Sequence, residues 1–275
     1  MTYILVALAI LPSFLIIYWI YRQDRYEKEP FSLLFRAFVV GCASTIPAML
    51  MQIQFQGWQN ENSLWDTFIF AFLIVGITEE LSKFVFLRLF IYPMEEFNEP
   101  MDGIVYAVMV GMGFATVENL LYVFESGDSA SIGTAIGRGL TAVPAHAAFA
   151  ILMGSYMGLS KFVAERKYFY LFTGLVLAVF FHGLYDFFLL QKVYEGLGAL
   201  AIGALVWGAS AARHLVKFGQ ELSPFKPDSI YHETPVVALN DHFENTEKGI
   251  IVEENATIGT VPQSDEPTIK NEDLV

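Results

Sequence analysis

Residues 67–91 read TFIFAFLIVGITEELSKFVFLRLFI. An apolar run of this length suffices to cross the hydrocarbon core of a bilayer, which takes about 20 helical residues. Glu79, Glu80 and Lys83 nevertheless stand about halfway along it. On insertion scales an ionisable side chain at that depth costs roughly 2.5–3.5 kcal/mol, so the run reads as a helix that crosses a membrane and faces a protein interior or water along one stripe. Glu79 and Lys83 are four apart and share a face, while Glu80 points about 100° away from Glu79. One glutamate can pair with Lys83 and leave the other free to act. A structural ion pair between helices is the competing reading.

Six further runs flank this one. The candidate spans are 3–21, 32–54, 67–91, 103–124, 138–159, 168–190 and 197–216, the last being short and rich in Gly and Ala. A spanning segment must satisfy its own backbone hydrogen bonds, which makes helices the default. The expected fold is therefore all-α, a polytopic bundle of about seven transmembrane helices occupying residues 1–218. The chain is 55% hydrophobic and only 16% charged, against about a quarter charged in a soluble domain. From 219 to 275 twelve acidic residues stand against three lysines, and the segment cannot bury enough apolar surface to offset its chain entropy. It reads as a disordered cytoplasmic tail, with His232 and His242 solvated in it. The net charge of −13 resides largely there, and no basic patch exists for nucleic acid.

The N-terminal run has no basic residues before it; Arg22, Arg25 and Lys28 follow it. That order is wrong for a cleaved signal peptide. Lys and Arg recur in the loops at 22–30 and 160–167 and after the last run, whereas the loops at 55–66 and 125–137 hold none. The positive-inside rule then puts the N-terminus outside and the C-terminus in the cytoplasm. The single cysteine, Cys42, rules out a disulfide framework within the chain and a multi-cysteine zinc site, and reads as a small buried hydrophobe.

Three other runs carry ionisable groups. Glu118 lies between Phe114 and Tyr122 on one helix face without a basic partner in its own run; it needs a metal, a proton or a cation from another helix. His146 follows Pro144 in the fifth run, where a packed, hydrogen-bonded histidine competes with a ligand. Arg138, at the edge of that run, reads as an interfacial, snorkelling residue. His182 and Asp186 are four apart, a spacing that suits an imidazole oriented by a carboxylate or two ligands on one ion. At 1.5 Å per residue, Glu79 and Glu80 lie about 18–20 Å, and Glu118, His146 and His182 about 9–12 Å, below the outer ends of their runs. This agreement in depth points to one water-accessible cavity opening outwards.

The order Glu79-Glu80-x-x-Lys83, Phe114-x-x-x-Glu118-Asn119, Pro144-x-His146 and His182-x-x-x-Asp186 resembles the PrsW family of bacterial membrane proteases. It is distantly similar to the CAAX prenyl protease superfamily, where Glu118 and Asn119 stand in place of the first His. The resemblance covers roughly residues 1–216. It implies an intramembrane protease of the bacterial cytoplasmic membrane that cuts a single-span membrane protein, typically an anti-sigma factor, within the lipid bilayer. Glu79, Glu80, Glu118 and His182 are then the expected catalytic residues. His146, His182, Glu118 and Asp186 are the expected metal ligands, with zinc suited to two His and one or two carboxylates. The His-Glu-x-x-His helix of common zinc proteases is absent. A proton-coupled transporter or channel is the alternative, since intramembrane Glu, His and Asp also serve proton relays.

Overall fold

The computed structural model describes residues 2–127 and 130–229, and its regular elements are all helical. They are α1 (Thr2–Gln23), α2 (Phe31–Phe55), α3 (Leu64–Phe68), a π-helical segment (Ile69–Gly76), α4 (Ile77–Phe90), α5 (Pro100–Glu125), α6 (Ser131–Leu140), α7 (Ala142–Phe162), α8 (Lys167–Leu190) and α9 (Gly198–Glu221). The π segment joins α3 to α4 without a gap, and α6 and α7 are separated by Thr141 alone, so the helices form seven rods. Six of these rods are long and apolar enough to cross a membrane. The seventh, 64–90, is divided by the π segment and carries Glu79, Glu80, Lys83 and Arg88. The break at Thr141 falls where Pro144, with no N–H to give, cannot bond the carbonyl four residues back.

The expected tail boundary at 218 lies inside a helix. α9 runs on to Glu221, and Leu222 and Ser223 are buried. The rest of the expected tail from 230, including His232 and His242, lies outside the described residues.

α5 is the axis of the bundle, touching α1, α2, α4, α6, α7 and α9. Glycines let it do so. A Cβ on Gly154 would stand 2.3 Å from the Gly103 carbonyl oxygen, and one on Gly158 2.3 Å from that of Pro100. α5 and α7 thus meet backbone to backbone, as small residues allow in membrane helices. The outer helices turn large apolar side chains outwards, among them Phe14, Phe35, Phe172 and Val206. Such a continuous apolar surface belongs in hydrocarbon, and the chain is an integral membrane protein.

The two ends of the bundle differ. At the basic end the loop after α1, the loop before α5 and the end of α9 meet: Asn98 Nδ2 donates to Glu27 Oε1 (3.3 Å), Gln220 donates to the Gln23 carbonyl, and the Tyr106 hydroxyl donates to Glu29. Asp102 Oδ2 caps α5 by accepting from the amides of Asn98 (2.7 Å) and Glu99 (2.8 Å). Asp24, Glu29, Glu99 and Asp102 are all buried here. Burial pushes the Asp24 carboxyl up to about 6, against the pull of Lys28. It raises Glu29 to about 7 and Glu99 to about 8. Carboxyls raised by folding stabilise the fold fully below their unfolded values, and that contribution is lost as pH rises through the folded ones. The melting temperature in detergent is therefore expected to fall as the pH is raised from about 6 to about 9, across the folded values of these groups. Glu99→Gln should flatten that fall, and an unchanged slope in the variant would count against the assignment.

At the opposite end the loop after α2 meets the loop after α8, where the Lys192 amide donates to the Glu61 carbonyl (2.7 Å) and the two side chains form an ion pair.

Candidate active site and metal centre

The site lies where α4, α5, α7 and α8 converge, on the side of the bundle centre away from the basic end. The π segment prepares it. Its wider turns bring Gly76 so close to α8 that an added Cβ would stand 3.2 Å from the Val179 carbonyl oxygen. Gly183 answers from α8, where a Cβ would meet the Phe72 ring at 2.6 Å. π turns inside helices often mark functional sites. At the junction with α4 the Thr78 hydroxyl donates to the Ile74 carbonyl (2.6 Å). This close packing sets His182, next to Gly183, against the two glutamates of α4.

Glu80 is fully buried. Its Oε1 accepts from Lys83 Nζ at 2.7 Å and lies 2.7 Å from His182 Nδ1, while its Oε2 has no hydrogen-bond partner. Glu79 Oε1 accepts from the Gln52 amide (3.0 Å). Its Oε2 has no hydrogen-bond partner and faces Lys83 Nζ at 3.5 Å and His182 Nε2 at 3.8 Å. His182 Nε2 also faces Asp186 Oδ2 at 3.3 Å. From α7, His146 Nδ1 lies 3.0 Å from Lys83 Nζ, and its Nε2 lies 2.7 Å from Glu118 Oε2. Lys83 Nζ stands 4.1 Å above the Phe114 ring, so this ammonium is held by two glutamates, an imidazole and an aromatic face.

Every residue singled out from the sequence, Glu79, Glu80, Glu118, His146, His182 and Asp186, thus enters one connected cluster. Arg138 requires a correction. It is not an interfacial residue: its guanidinium pairs with Glu118 Oε2 at 3.1 Å, lies 3.8 Å over the Tyr122 ring, and donates through Nε to Asn119 Oδ1 (3.2 Å). It is the cation from another helix that Glu118 needs, and the α6–α7 break turns it inwards. Gln52 is a member that the sequence reading passed over. Amides at 52, 54 and 56 look like the polar end of a span, and only the position of α2 beside α4 singles out the first.

A cavity of about 290 Å³ reaches the cluster. Glu118, His146, His182 and Asp186 line it, together with Gln56 and Gln59 from the end of α2. It therefore opens at the end opposite the basic loops.

The family profile described as "PrsW family intramembrane metalloprotease" matches residues 29–212. The chain belongs to the PrsW family. It is 37% identical over 202 residues to "Protease PrsW" of Geobacillus kaustophilus, covering 72% of this chain and 87% of the relative. The corresponding protein of Bacillus subtilis is 34% identical over 186 residues (67% and 82%), and that of Clostridioides difficile 31% over 185 (66% and 78%). No solved structure matches. The family is one of membrane peptidases, and the matched segment contains every residue of the cluster.

The family description implies a metal, and the donors here suit one. Ligand atoms of Glu79, His146 and His182 lie within 4.8 Å of one another. Of the other expected ligands, Glu118 Oε2 lies 2.7 Å from His146 Nε2 and Asp186 Oδ2 3.3 Å from His182 Nε2. The unpartnered Glu79 Oε2 is the kind of buried atom a cation satisfies.

Proposed function

We propose that this PrsW-family protein hydrolyses a peptide bond in the membrane segment of a single-span protein, using Glu79, Glu118, His146 and His182 around one hydrated cavity. An anti-sigma factor is the substrate class that the family resemblance suggests. The N-terminus lies outside and the C-terminus in the cytoplasm, so that the cavity opens outwards. The observation that carries the reading is the convergence of four carboxylates and two imidazoles from four helices in one cluster, reached by a cavity that Glu118, His146, His182 and Asp186 line.

Zinc, held by Glu79, His146 and His182, would supply a Lewis acid and lower the pKa of a bound water. The chain's own groups do the rest. Glu118 lines the cavity beside His146 and is placed to take a proton from the attacking water and return it to the leaving amine. Glu80 does not line the cavity; it positions His182 through Nδ1, as outer carboxylates do for ligating histidines. Asp186 Oδ2 faces Nε2, the nitrogen left for zinc, at 3.3 Å, and would stand beside the ion. The low-dielectric surroundings strengthen each of these interactions.

Purified protein in liposomes with a single-span substrate should release a fragment cut within the span, and Glu118→Gln should slow its release by about a hundredfold. Proton flux through the liposomes without any fragment would replace the peptidase with a transporter.

A further inference from the structure

The cleft between α2 and α5 carries an inference that rests on the peptidase reading and extends it to how the substrate arrives. The two helices leave the basic end together and are sealed over their middle. A Cβ on Gly41 would stand 2.1 Å from the Val110 carbonyl oxygen, and one on Gly113 2.1 Å from that of Phe38. Beyond this seam they part. Pro47 lies inside α2 just past it, where a proline removes a helical hydrogen bond and bends the axis.

The opening is a second cavity, of about 140 Å³. Thr45 and Gln52 line it from α2, Gln56 from the turn that follows, and Phe114, Leu121 and Glu125 from α5. Thr45 and Gln52 are seven apart on α2, and Phe114, Leu121 and Glu125 have the spacing i, i+7, i+11 on α5, so one stripe of each helix faces the other across the gap. Eleven residues make the cleft about 16 Å long. Glu79 and Glu118 stand in its wall, and Gln52, Gln56, Glu118 and Tyr122 also line the larger cavity. The cleft is thus continuous with the site. Its lips are apolar and open to the membrane, with Met49 38% and Leu121 37% exposed.

We infer that the substrate's membrane segment reaches the site sideways through this cleft, as an extended strand. An intact helix is about 10 Å across with its side chains, and its peptide bonds, each hydrogen-bonded within the helix, are closed to attack. Once unwound in the membrane, its N–H and C=O groups need partners. The Gln56 carboxamide, both donor and acceptor, and the carbonyl oxygen of Gln52, whose nitrogen already donates to Glu79, supply them along the cleft, while water comes by the larger cavity at the end of the bundle. Lateral cleft and axial cavity then divide substrate from water.

The test uses the full chain in liposomes with Cys42 replaced by Ala. Met49→Cys and Leu121→Cys are introduced together and joined by a short thiol cross-linker. Joining should slow cleavage of a single-span substrate at least tenfold and leave cleavage of a short soluble peptide of the same sequence unchanged. In a second arm, a photo-reactive amino acid replaces Leu121, Tyr18 in the groove between α1 and α2, or Val206 on α9. The single-span substrate should form adducts at 121 and few at the other two. Unslowed cleavage after joining, or equal adducts at 18 or 206, overturns lateral access by this cleft and leaves the peptidase reading standing. Failure of the unjoined protein to cut either substrate overturns the peptidase reading, and the inference with it.

Discussion

Glu79→Gln and His182→Ala should each lower substrate cleavage by about a thousandfold while the helical bundle still forms. The two residues face one another inside the cluster. Glu79 Oε2 lacks a hydrogen-bond partner and stands 3.8 Å from His182 Nε2, and both belong to the trio whose donor atoms lie within 4.8 Å. Gln at 79 keeps the shape and the bond that Oε1 accepts from Gln52, but it removes the anionic ligand. Ala at 182 removes a ligand and leaves Glu80 and Asp186 facing a void. Glu80→Gln should also reduce cleavage, for a different reason: its oxygen orients the imidazole from the Nδ1 side. The loss there should appear together with weaker metal binding, which a purely structural substitution away from His182 would not cause. Cleavage within tenfold of wild type in Glu79→Gln would refute the role given to that carboxylate.

Lys83→Met is expected to destabilise the protein by about 3–5 kcal/mol, the usual result of removing one partner from a buried ion pair. Lys83 Nζ is 3% exposed as a residue and lies 2.7 Å from Glu80, 3.5 Å from Glu79 and 3.0 Å from His146. Without it, Glu79 and Glu80 share the interior with no ammonium between them. Unfolding measured in detergent or bicelles reads the effect. Lys83→Met combined with Glu80→Gln removes both charges of the tightest pair, and should recover much of the stability without restoring cleavage. Additive losses in the double variant would show that the two side chains do not act as a pair.

How much of this was legible beforehand follows from where each residue's partners lie. The apolar runs and the depth of Glu79, Glu118, His146 and His182 along them are local properties, and seven helical rods did form around a single cluster. Partners drawn from another helix were harder to read. Arg138 looked like a snorkelling residue because its position at the edge of a run is visible, whereas the break at Thr141 that turns it towards Glu118 is not. Gln52 was passed over because an amide near a helix end carries no signal until α2 is known to lie beside α4. The π segment had no signature either: its wide turns answer to the close approach of Gly76 and Gly183, which lie more than a hundred residues apart in the chain. The place of Glu79 beside the two imidazoles has the same origin, since spacing along one helix identifies a pair but not which oxygen faces a residue of another helix.

Metal content tests the account most directly. Protein purified without a metal-chelating tag and reconstituted with excess divalent metal should hold one ion per chain by elemental analysis. Glu79→Gln, His146→Ala and His182→Ala should each lose it, whereas Asp24→Asn, at the far end of the bundle, should retain it. An ion that survives in all three variants, or its absence from well-folded wild-type protein under every divalent metal offered, would contradict the claim that side chains from three helices converge on one cation.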